Sequence, residues 1–88
     1  MKKEMIKFIE ENFKVIKSQF LKDELKILSD CGADEDELDS VYFEINFISK
    51  AEVLLEVINE RTLGVDYDDE GDVNQLFDMI KAIKEVAN

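Results

Sequence analysis

Apolar and charged positions alternate along this chain at helical rather than strand spacing. Ile6, Ile9, Phe13, Ile16, Phe20 and Ile27 recur every three to four residues or multiples of that spacing, with Lys and Glu between them. The pattern predicts a helix from about Lys2 to Lys17 that continues, or restarts after a break near Ser18, through Ser29. Gly32 follows as its stop. Asp34 then stands as a helix N-cap, with Glu37 three residues on and acids at the positive end of the helix dipole. The run Val41-Tyr42-Phe43-Glu44-Ile45-Asn46-Phe47-Ile48 is rich in β-branched and aromatic residues but has no partner strand in view. It is read as a short helix and an irregular segment packed on the core, with Tyr42, Phe43, Phe47 and Tyr67 as core or rim residues.

The clearest predicted helix starts at Ser49. Ser49-Lys50-Ala51-Glu52 has the form of a capping box, and Ile48 and Val53 occupy the two positions of a hydrophobic staple. The helix runs to about Arg61 and buries Val53, Leu54, Val57 and Ile58. Glu52, Glu56 and Glu60, four apart, form one exposed acidic stripe. Asp72 with Gln75 repeats the capping logic for a last helix, whose apolar face is Val73, Leu76, Ile80 and Ile83. No internal repeat or linker interrupts the pattern. The expectation is a single all-α domain over residues 1–88, a small bundle of about four helices.

Charge changes the picture more than any other bulk property. The chain has 88 residues, 22 acids against 11 bases and a net charge of −11. Residues 1–28 hold seven lysines against five acids, a net +2, and residues 29–88 hold four bases against seventeen acids, a net −13. Such a surface repels nucleic-acid phosphates and anionic lipid heads, and it attracts and steers a basic protein. Solubility alone is a commoner reason for an acidic surface. Without histidine there is no imidazole base, no His ligand and no Cys-His or Ser-His pair. Cys31 is the lone cysteine, so no internal disulfide is possible, which fits a reducing, cytoplasmic setting. No apolar run approaches the length of a membrane span, and charges break up any N-terminal leader pattern. No enzymatic activity is expected.

Two stretches carry candidate chemistry. Asp66-x-Asp68-x-Glu70-Gly71-x-Val73 resembles part of a calcium-binding EF-hand loop, but Phe77 stands where the closing bidentate carboxylate belongs. The other lies in residues 41–86, about half the chain. There a serine opens an apolar helix, Val53 and Leu55 follow, Leu63-Gly64-Val65 ends it, Asp68-Asp69-Glu70 forms an acidic turn, and Val73-Asn74-Gln75-Leu76 with Ile80 and Ile83 closes the unit. Ile45-Asn46 precedes it. This order resembles the second half of an acyl carrier protein. The resemblance implies a 4'-phosphopantetheine arm on Ser49, thioester cargo, and docking of the Glu52/Glu56/Glu60 stripe on basic partners: a phosphopantetheinyl transferase and an acyl ligase or synthase. The family's Asp-Ser-Leu stands here as Ile48-Ser49-Lys50. Leu38-Asp39-Ser40-Val41 keeps the aspartate, but from Ser40 the Leu63-Gly64-Val65 end comes too late, so Ser49 and Ser40 both remain candidates. A carrier-like fold without the cofactor is a third possibility. The alternative from another class is an acidic, cofactor-free binding module, immunity- or antitoxin-like, that neutralises a basic toxin or enzyme.

Overall fold

The described residues form five helices: α1 (Lys2–Glu11), α2 (Phe13–Asp30), α3 (Glu35–Asn46), α4 (Ala51–Arg61) and α5 (Glu70–Ala87). The computed structural model describes residues 1–87, and among these there is no strand. The all-α expectation holds, with five helices where about four were expected. The extra one comes from the N-terminal stretch, which is two helices broken at Asn12 rather than near Ser18. Asn12 leaves helical geometry at φ −127° and ψ 30°. Its side-chain amide donates to the Phe8 carbonyl at 2.9 Å, an oxygen that also accepts the Asn12 backbone N–H at 3.2 Å.

The stop at Gly32 is as expected. Gly32 takes φ +86°, Ala33 N–H donates to the Leu28 carbonyl at 3.0 Å and Gly32 N–H to Ser29 at 3.1 Å, the paired bonds of a Schellman motif. At the start of α3 the Asp34 carboxylate accepts the Glu37 N–H at 2.9 Å, so that cap is also made. The ambiguous 41–48 segment is mostly helix, because α3 runs unbroken to Asn46 and buries Val41 and Ile45.

Three local expectations fail. α4 begins at Ala51 with Lys50 at the N-cap position and no side-chain cap, so Ser49 makes no capping box. The reason lies in the preceding turn. The Lys17 ammonium donates to the carbonyls of Asn46 (2.8 Å) and Ile48 (3.2 Å), and the Ile48 side chain is buried, which holds the chain outside helical geometry past Ser49. The staple is lost with the box: Val53 is 44% exposed, and α4 buries Ala51, Leu54, Leu55, Ile58 and Asn59, with Val57 half-buried. In α5 the cap moves three residues upstream, where the Asp69 carboxylate accepts the Asp72 N–H at 3.2 Å.

α2 is the centre of the bundle, contacting all four other helices, while α1 also lies along α4. One core holds Met5 and Ile9 of α1, Ile16 and Phe20 of α2, Val41 and Ile45 of α3, Leu54, Leu55 and Ile58 of α4, and Val73, Leu76, Ile80 and Ile83 of α5. Each buried aliphatic side chain contributes about 1.5–3 kcal/mol relative to exposure. Ile27, on the predicted face of α2, is 56% exposed because it lies in the last turn.

Candidate functional site

Both candidate serines are at the surface. Ser49 is exposed in the turn between α3 and α4, in an open hollow it shares with Glu10, Lys50, Ala51 and Glu52. Its hydroxyl stands one residue before an N-terminus that no side chain caps. Ser40 is exposed in the middle of α3, beside a second open hollow lined by Leu28, Asp34, Asp36, Glu37 and Val41.

The expected acidic stripe is present but unequal. Glu52, Glu56 and Glu60 are all exposed. Glu56 is engaged: Lys2 Nζ lies 3.5 Å from its carboxylate, and the Tyr67 hydroxyl donates to it at 3.2 Å. Lys2 also stands over the Tyr67 ring, 4.3 Å from its centre. Burial, and then the negative charge of Glu56, push the Tyr67 phenol up to about 12. This cluster ties the N-terminal helix to the loop before α5.

The calcium-loop likeness does not survive folding. Glu70 and Gly71 are inside α5, the Asp66 carboxylate is turned back to accept the Asp68 N–H at 3.0 Å, and Phe77 packs edge-to-face on Phe8. No group of three or more His, Cys, Asp or Glu among the described residues is placed to hold a metal ion.

Two features went unrecognised in the sequence. Arg61, the chain's only arginine, leaves the end of α4 to meet Glu24 of α2 at 3.5 Å and Glu44 of α3 at 2.8 Å. Glu24 is 8% exposed, and burial pushes its carboxyl up against the opposing pull of Arg61. The signal was a glutamate four residues after Phe20, on the buried side of α2. The second feature is aromatic. Tyr42, Phe43 and Phe47, expected at the core or rim, are 42%, 57% and 71% exposed. The Tyr42 and Phe43 rings meet edge-on at 5.7 Å, and those of Phe43 and Phe47 stack at 5.8 Å. Helical register carries the signal for two of them: once Val41 and Ile45 face the core, positions 42 and 43 fall outside that arc, while Phe47 lies just past the end of α3.

No helix among the described residues is long and apolar enough to cross a membrane. No protein-family model, no curated protein and no solved structure matches the chain.

Proposed function

We propose that this chain is an acidic protein-binding module whose partner is a basic protein, in the manner of an immunity protein or an antagonist of a basic enzyme. The observation that carries this reading is the uncompensated charge. Of 22 acidic side chains, only Glu4, Glu24, Glu44 and Glu56 lie within 4 Å of a cation among the described residues. The only arginine is committed to an internal contact between helices, which leaves most of the carboxylates of residues 29–88 free to face a visitor. Such a surface accelerates encounter with a positively charged protein and penalises a negative one.

The test is capture of a partner followed by kinetics at increasing salt. The association rate is expected to fall by about tenfold or more between low and physiological ionic strength, as the Debye length shrinks towards ~8 Å. A rate indifferent to salt overturns the reading.

A second reading has one observation in its favour. Ser49 is exposed beside a helix start without a side-chain cap, where free N–H groups accommodate a phosphodiester. A carrier function would load 4'-phosphopantetheine there, or on Ser40. Incubation with coenzyme A and a broad-specificity transferase, read by intact mass, decides it. Absence of a mass gain, or a gain that survives Ser49→Ala together with Ser40→Ala, removes the carrier reading.

A further inference from the structure

We infer that the outward face of α3 is the docking surface, and that it inserts Phe43 and Phe47, flanked by Tyr42, into an apolar cleft whose rim is cationic. This inference rests on the binding-module reading and assigns its contact site.

The rings form one continuous patch, as their centre-to-centre distances require. At about 200 Å² for a fully exposed ring, their fractional exposures leave roughly 340 Å² of aromatic surface in water. That falls in the range of the largest apolar patch on a typical monomer, which is often functional, and it supplies a large part of the ~800 Å² that one partner contributes to a standard interface. The patch is also prearranged. α3 holds Phe43 and the Lys17 ammonium pins the carbonyls of Asn46 and Ile48 on either side of Phe47, so little ordering remains to be done on binding.

Charge selects the occupant. Asp36 and Asp39 are exposed on the same helix, two turns and one turn before Phe43 respectively, and neither lies within 4 Å of a cation. A second copy of this chain would bring like charges together across a two-fold contact, on top of a net charge of −11 on each copy. A basic partner with an apolar cleft satisfies both the aromatic rings and the carboxylates, with the aromatics as anchors and the charges as rim.

The experiment uses the full chain and two synthetic probes: an amphipathic Leu/Lys helical peptide and a peptide of the same charge with Ser in place of Leu. Binding is measured by calorimetry, with thermal unfolding confirming that each variant stays folded. The Leu/Lys peptide is expected to bind the wild type, and F43S/F47S to weaken it by roughly tenfold or more. The same variant should leave the Ser/Lys peptide unchanged, and E52Q/E56Q/E60Q should leave the Leu/Lys affinity within about threefold. If the Leu/Lys peptide binds F43S/F47S as well as it binds the wild type, the α3 site is wrong while the acidic-module reading stands. If neither peptide binds, both are wrong. A wild-type dimer by sedimentation that F43S/F47S converts to monomer makes a second copy the occupant and overturns the assignment.

Discussion

Arg61→Met removes the one side chain among the described residues that joins α2, α3 and α4 by charge, and its cost follows from burial. Losing one partner of a buried ion pair costs about 3–5 kcal/mol, because the remaining charge is stranded, whereas an exposed pair contributes about 0–1 kcal/mol. Glu24 is 8% exposed, but its contact with Arg61 is 3.5 Å long and the arginine side chain is 25% exposed. Glu44, at half exposure, adds little. The expected loss is therefore about 2–3 kcal/mol, which lies below the fully buried range. Against a total of roughly 4–13 kcal/mol for a chain of this length, that is a large fraction, and Tm should fall by about 10–20 °C. Urea unfolding measures the loss directly.

The pH dependence supplies the sharper test. Burial raises the Glu24 carboxyl in the folded state, so the folded chain holds that proton more tightly than the unfolded chain does. Protonation thus favours the fold at low pH, and this contribution is lost as pH rises through the folded value. Without Arg61 the upward push of burial is unopposed, so the penalty of Arg61→Met should be smaller at acidic pH, where the Glu24 carboxyl is protonated, than at neutral pH. In the Glu24→Gln background, Arg61→Met should cost much less. A penalty under about 1 kcal/mol at neutral pH, or one equal at both pH values, refutes the reasoning.

Other expectations are local. Asp34→Ala should destabilise by about 1 kcal/mol through loss of the bond to the Glu37 N–H, while Ser49→Ala, which removes no cap, should change the urea midpoint negligibly. Equal losses would mean that Ser49 caps α4 after all. Asn59 is buried and exchanges two hydrogen bonds with the Val65 backbone, at 2.9 and 3.0 Å, so Asn59→Ala should cost about 2–3 kcal/mol and speed hydrogen exchange in the 62–65 loop. In a Tyr42→Phe background, absorbance titration of the remaining phenol should give a midpoint of about 12 for Tyr67, lowered by Glu56→Gln. Because the folded value is raised, that neutral phenol favours the fold at lower pH, and the benefit disappears as pH climbs through the folded midpoint. A midpoint near the ordinary tyrosine value contradicts the contact with Glu56.

The parts of the fold that the sequence announced are those decided within a few residues. Gly32 and Asp34 act on backbone groups three to five positions away, and their bonds form as their types require. The helical periods of α2 and α5 were legible for the same reason. Ser49 shows the limit. Its capping pattern was complete, yet an ammonium more than thirty residues upstream at Lys17 fixes the turn and moves the N-cap one residue on, to Lys50. The break at Asn12 was hidden because asparagine carries no strong signal there without Gly or Pro. At the candidate site, the carboxylates were visible from composition. The aromatic patch was not, because its exposure depends on which side of α3 turns inward, and tertiary packing decides that.

The pairing of α1 with α4 and of α2 with α5 has a consequence for dissection of the molecule. The chain is interleaved like clasped fingers, so a cut in the 47–50 connection leaves two pieces that each hold half of a shared interior. Residues 41–86, expressed by themselves, would bare the inner sides of α4 and α5 and stick to whatever is near. Supplied with the missing piece in trans, the same stretch has a ready-made cover.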